Sequence, residues 1–189
     1  MDHATLTTDR LTLRPLGPQD IDAVYAACQD PEVQHWTTVP SPYRREDAEM
    51  FAGTIAPQAW TEGKEYCFAV LDEEDRLVAV TGLMERIGNA REIGFWTVKE
   101  HRGQGYMTEA VRAVTRWGFE ELRVDRIEWK AAVGNHASRA VAEKAGFRLE
   151  GTLRSALLNK GRRRDCWIAG LLPGDVGLPT RDPYLPGEG

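Results

Sequence analysis

A strand-like run, Glu92-Ile93-Gly94-Phe95-Trp96-Thr97-Val98, leads into Arg102-Gly103-Gln104-Gly105-Tyr106-Met107, and that turn opens a helix-like run from Thr108 to about Leu122. No other stretch restricts the chain as much. Two glycines one residue apart let the backbone bend sharply and pass close to a neighbour. At a helix start they also turn several N–H groups toward one point, where the positive helix end adds to the attraction for an anion. The bland alternative is a tight strand-to-helix turn with no ligand. The glycines alone do not separate the two readings.

The surroundings exclude two familiar phosphate readers. A Walker loop needs Gly-x-x-x-x-Gly-Lys-Ser/Thr, and neither Lys-Ser nor Lys-Thr follows. A dinucleotide fingerprint needs a third glycine three residues after the second, and Thr108 stands there. Further along come Asn135-His136-Ala137-Ser138-Arg139 and Lys144-Ala145-Gly146-Phe147, which form a second signal.

Together the two signals resemble the GNAT superfamily of acyl-CoA N-acyltransferases, over about Leu11 to Leu172. Gly94 through Ala110 is similar to the strand, loop and helix signature of the RimJ/RimL branch, whose members acetylate N-terminal amines of ribosomal proteins. Asn135-x-x-Ser138 and Lys144-x-Gly146-Phe147 resemble that branch's second signature. Glu100 replaces the Gln or Arg common in the superfamily, as is usual in this branch, and Lys99 replaces a frequent Pro. Leu157 stands where some RimL-type members carry a Glu.

The bulk figures suit one soluble domain. The chain has 189 residues, 42% of them apolar and 28% charged, and no apolar run long enough to cross a bilayer. Met1-Asp2-His3-Ala4-Thr5 lacks a secretory layout. Cys28, Cys67 and Cys166 are widely spaced, without a Cys-x-x-Cys pair, so neither disulfides nor a metal site is expected and a reduced, cytoplasmic protein is. Cys67 and Cys166 are expected in the core. A net charge of −5 argues against nucleic-acid binding. The cluster Lys160-Gly161-Arg162-Arg163-Arg164 reads as a solvated hairpin tip, or as a grip on an acidic partner or a cofactor phosphate. A homodimer is left open.

Element by element, Arg10–Arg14 alternates as a strand, and Pro18 and Asp20 open a helix to about Cys28. Glu32 to Pro42 is turn-rich. A helix from Arg44 through Phe51 is expected to continue to Trp60 with a break at Pro57. Tyr66–Leu71 and Leu77–Arg86 form a hairpin. After the long helix come a strand Arg126–Ala132, a helix Ala137–Ala145 and a hairpin of Arg148–Leu158 with Arg164–Leu171. The expected fold is α/β: residues 1–172 as one domain, with a mixed, mostly antiparallel sheet of about seven strands and about four flanking helices. Residues 173–189 are expected as an irregular Pro- and Gly-rich tail. The resemblance further implies splaying at the central parallel strand pair.

The resemblance implies acetyl-CoA as acyl donor and an amine as acceptor, without a metal. The amides of Arg102, Gly103, Gln104, Gly105, Tyr106 and Met107 can hold the pyrophosphate. The backbone at Trp96, Thr97 and Val98 can pair with the pantetheine amides as an added strand. Asn135 can contact the same arm, cap the following helix, or do both. By resemblance Ser138 lies near the thioester sulfur and protonates the leaving thiolate. Because Leu157 cannot take a proton, the remaining base candidates are Glu92, Glu85, His35 or water. Near pH 7 about a tenth of an α-amine is neutral, against roughly one in 2,500 lysines, so an α-amine needs less help. Alternatives are a non-catalytic CoA-binding protein and a transferase using another donor such as succinyl-CoA. The acceptor is expected to enter near His35, Trp36 and Tyr43.

Overall fold

Alternation along β3 (Glu65–Leu71) shows how the fold is assembled. Tyr66, Phe68 and Val70 point into one apolar cluster, and Cys67, Ala69 and Leu71 into another on the opposite face. A strand buried on both faces needs cover on both sides. The computed structural model, which describes residues 4–181 with Tyr184, Leu185 and Gly187, supplies it with helices on each face of one sheet.

The sheet has eight strands in the order β1-β2-β3-β4-β5-β6-β8-β7. These are β1 (Leu6–Thr7), β2 (Thr12–Pro15), β3, β4 (Leu77–Arg86), β5 (Ala90–Thr97), β6 (Arg126–Ala132), β7 (Arg148–Asn159) and β8 (Arg162–Leu171). Neighbours are antiparallel except β5 and β6. That parallel ladder has rungs from Ala90↔Arg126 to Ile93↔Trp129 and then stops. Beyond it β5 stays paired with β4 to Thr97, and β6 with β8 to Ala132. The sheet therefore opens between them, as the resemblance implied.

One face carries α1 (Ile21–Ala27), α2 (Pro31–Trp36), α3 (Arg45–Met50) and the start of α4 (Ala56–Thr61), whose Trp60 reaches the other cluster. The other carries α5 (Tyr106–Glu120) and α6 (His136–Ala145). Met107, Ala110, Val111, Val114 and Trp117 form the buried stripe of α5, at helical spacing. That stripe fixes the double-glycine turn at the mouth of the opening.

Several expectations are corrected. Leu6–Thr7 adds an eighth strand, too short to read from alternation. The segment read as turn-rich contains α2, whose start is made by Pro31 at its first turn and by Asp30, whose side chain accepts from Glu32 N–H. No break occurs at Pro57. The path runs from α3 through a π-helical stretch, Phe51–Ile55, into α4, with Pro57 in the first turn. The wider turn carries the bond from Ala56 N–H to Phe51 C=O, so the proline ring meets no ordinary helical bond. The helix read from Thr108 begins at Tyr106. In the tail, Pro173–Val176 forms a 3₁₀ turn; positions 182, 183, 186, 188 and 189 lie outside the described residues, as do 1–3, where the leader was assessed.

Candidate active site

The turn after β5 is held from several sides. Gly103 and Gly105 have φ of +76° and +81°, a region that strains any other residue, and Gly105 is the N-cap of α5. Arg10 donates to Gln104 C=O at 3.0 Å and to Glu109 Oε2 at 2.8 Å, and its guanidinium lies over the Tyr106 ring. Thr8 Oγ1 donates to Glu109 Oε1 at 2.6 Å. Partial burial raises the Glu109 pKa, but the bonds from Thr8 and Arg10 outweigh it and hold the carboxyl below its ordinary value. The ionised Glu109 thus anchors the turn between β1 and β2 to the helix start. The first-turn amides of α5 have no intrahelical acceptors and open outward.

A cavity of about 350 Å³ runs from this turn into the split between β5 and β6. Trp96 and Thr97 line it from β5, and Arg102, Gly103 and Gly105 from the turn. Tyr106 and Met107 contribute from α5, and Asn135 and Ser138 from the start of α6. Nine of the residues expected from the sequence to hold the cofactor therefore meet in one space. Val98, Gln104 and Glu92 do not line it. The Gln104 side chain instead donates to Glu100 C=O at 3.1 Å, and Val98 N–H pairs with Val78 C=O at 2.9 Å.

At the inner end, Asn135 Oδ1 accepts from Ser138 N–H at 3.2 Å, which is helix capping. Its Nδ2 makes no hydrogen bond among the described residues and stays available to a carbonyl in the cavity. Ser138 Oγ accepts from the Trp129 indole N–H at 3.0 Å.

Glu92 sits below the opening, on the rung opposite Glu128. Its Oε2 accepts from Arg86 at 3.0 Å and from Lys130 at 3.1 Å. Lys130 also bonds Glu128, which Arg126 contacts in turn. Burial alone raises the Glu128 pKa, but Lys130 and Arg126 bring it below its ordinary value. Glu85 is exposed at the end of β4, His35 is exposed beside Trp36, and half-buried Leu157 pairs with Arg164 on β8.

Of the entrance residues expected from the sequence, Trp36 lines the cavity, but on α2, a helix that the sequence did not show. Glu32, Val33, Trp36 and Thr37 make this wall, with Phe95, His101 and Lys144 from elsewhere. The Trp36 ring spans toward the far side, and a Cβ at Gly134 would lie 3.6 Å from its Cη2. Its indole donates to Glu32 at 3.0 Å. The tip of the β7–β8 hairpin braces this wall: Asn159 donates to Thr37 C=O at 3.0 Å, Lys160 to Gln34 C=O, and Arg164 lies over the Trp36 ring. Asp30, next to α2, pairs with Arg102 of the turn. The basic cluster thus partly grips the protein's own backbone. Tyr43, expected at the entrance, is buried against Cys28 in the second core, where desolvation raises its pKa and drives Cys28 up to about 12. All three cysteines are buried and free.

Among the described residues there is no group of His, Cys, Asp and Glu that could hold a metal, and no helix long and apolar enough to cross a membrane.

A split sheet, a double-glycine helix start and a polar helix cap facing one cavity define a binding fold for a long ligand with an anionic end. The pattern of the acetyltransferase (GNAT) domain matches residues 10–148, and the chain belongs to that family of acetyl-CoA-dependent N-acetyltransferases. It is 40% identical over 89 residues to YdaF of Bacillus subtilis, which carries a ribosomal N-acetyltransferase name; that match spans 47% of this chain and about half, 49%, of YdaF. It is 29% identical over 171 residues to the uncharacterized N-acetyltransferase p20 of Bacillus licheniformis, covering 89% of this chain and 96% of p20. The fold superposes on RimL, a ribosomal L7/L12 α-N-protein acetyltransferase solved with coenzyme A, with a TM-score of 0.81 at 20% identity, over 89% of this chain and 98% of that one.

Proposed function

We propose that the protein moves an acetyl group from acetyl-CoA to a primary amine already partly neutral near pH 7, an N-terminal α-amine of a peptide or protein or a small amine of low pKa. The observation that carries this reading is that none of the bases expected from the sequence lines the cavity: Glu92, Glu85 and His35 lie outside it, and of the titratable residues inside, Glu32 is engaged by the Trp36 indole and His101 stands beside the double-glycine turn. Leu157 cannot take a proton, and Glu92 Oε2 is already occupied by Arg86 and Lys130. A lysine acceptor, neutral in roughly one molecule in 2,500 at pH 7, would need such a base far more than an α-amine would. The ribosomal N-acetyltransferase name of YdaF agrees with a protein acceptor.

In this reading the amides around Gly103 and Gly105 hold the pyrophosphate, and the free side of β5 at Trp96 and Thr97 pairs with the pantetheine arm. Asn135 Nδ2 meets an arm carbonyl. The amine attacks the thioester carbon, the C–N bond forms and the C–S bond breaks. Ser138 gives a proton to the departing thiolate, and the amine proton leaves through water, with Glu92 as the candidate carboxylate along that path. Trp36 forms the acceptor-side wall.

Thiol release from acetyl-CoA, measured with a panel of N-terminal peptides, small amines and Nα-blocked lysine peptides, tests the reading. Release with α-amines at pH 7 is expected, and little with the lysine peptides. Efficient lysine acetylation at pH 7 would remove the acceptor argument. Release from succinyl-CoA but not acetyl-CoA would replace the donor.

A further inference from the structure

Trp129 stands on the last rung of the parallel ladder, opposite Ile93, where the sheet begins to open. It is 2% exposed. A buried indole N–H needs an acceptor, and an apolar core rarely provides one. Here the acceptor is Ser138 Oγ, 3.0 Å away in the first turn of α6. The bond therefore ties the point of divergence in the sheet to a side chain of the cavity.

Its effect on the serine follows from hydroxyl chemistry. A hydroxyl has one proton to give and two lone pairs. With one lone pair taken by Trp129, the O–H cannot point back along that line, and its rotation is confined. Accepting a bond also polarises the O–H and strengthens it as a donor. A serine early in a helix has a competing habit, which is to donate to a backbone carbonyl one turn back. At Ser138 the backbone is pinned as well, because its N–H is held by Asn135 Oδ1 at 3.2 Å. Ser138 lines the cavity, so a proton turned away from Trp129 can meet a ligand there.

We propose that Trp129 is a positioning residue whose indole N–H holds the Ser138 hydroxyl as a proton donor toward the cofactor sulfur. This rests on the donor role assigned to Ser138 above. Trp129 touches neither donor nor acceptor substrate; it acts through the serine alone.

The test uses coenzyme A itself as probe and needs no acceptor. The pKa of the bound thiol is read from thiolate ultraviolet absorbance in the parent, Ser138→Ala, Trp129→Phe and the double variant. A hydrogen bond to the thiolate lowers that pKa. Ser138→Ala is expected to raise it by about one unit and Trp129→Phe by about half a unit, the scale of single hydrogen bonds. The double variant should match Ser138→Ala. Trp129→Phe should also lower kcat about threefold while leaving the KM for acetyl-CoA unchanged. A merely structural defect would shift coenzyme affinity and leave the bound thiol alone. If Ser138→Ala shifts the thiol and Trp129→Phe does not, the role of Trp129 is refuted and that of Ser138 stands. If Ser138→Ala has no effect, both fall. Additive shifts in the double variant would also refute action through the serine. Should Trp129→Phe fail to fold, benzothienylalanine at position 129, which replaces the N–H by sulfur at nearly the same shape, gives the same readout.

Discussion

In the proposed reading Ser138 and Gly105 make separable contributions, one at the reacting end of the cavity and the other at the anion end. If Ser138 is the proton donor, removing its hydroxyl deprives the leaving thiolate of a proton, but a thiolate of pKa about 8.5 leaves largely unaided. Ser138→Ala should therefore lower kcat modestly, on the order of tenfold, with little change in acetyl-CoA affinity. Steady-state thiol release checks this, and an unchanged kcat would exclude proton donation by Ser138. Gly105→Asp works differently. It forces a side chain onto φ of +81° and sets a negative charge beside the first-turn amides of α5. Calorimetric titration with coenzyme A should show affinity reduced at least about tenfold; parent-like affinity would move the pyrophosphate elsewhere.

At the scale of elements, α2 and the β7–β8 hairpin form one wall. Asn159 and Lys160 hold α2 through carbonyls near its end, and Arg164 covers Trp36. Trp36→Ala should raise the acceptor KM and leave coenzyme A affinity nearly unchanged; equal losses in both would give Trp36 a folding role instead. This wall is also where sequence reading stopped short. Strands such as β3 and helices such as α5 announce themselves by period, and the double-glycine turn by its φ demand. The six-residue α2 offers no period to read, since two turns of helix with Pro31 and a Thr-Thr end resemble a loop. Glu92 was legible as a strand carboxylate, but its partners Arg86 and Lys130 come from neighbouring strands and depend on register, which one sequence does not display. Glu92 remains testable through pH. If it receives the amine proton, Glu92→Gln should slow turnover mainly at lower pH, because high pH supplies neutral amine unaided. A parent-like pH–rate profile would remove Glu92 from the mechanism.

At the scale of the whole molecule, the sheet is two units, β1 to β5 and β6 with β8 and β7, joined directly by the short ladder from Ala90↔Arg126 to Ile93↔Trp129. On the far side of the opening they communicate through α5 and α6, where Arg112 donates to the Lys144 carbonyl, and through the Trp36 wall. A ligand lying in the split contacts the start of α5 on one unit and the start of α6 on the other. It binds the folded arrangement and finds no such site in the unfolded chain, so mass action must stabilise the fold. At a coenzyme A concentration of about 100 times Kd the gain is about 2.7 kcal/mol. For a domain of this size that corresponds to a rise in Tm of roughly 5–11 °C. Differential scanning calorimetry with and without coenzyme A measures it. Gly105→Asp should lose most of the rise at the same ligand concentration. Glu92→Gln should keep it, since Glu92 lies outside the cavity lining. The same rise in parent and Gly105→Asp would mean that the ligand stabilises the molecule from some other place, and that the split between β5 and β6 is not where the cofactor joins the two units.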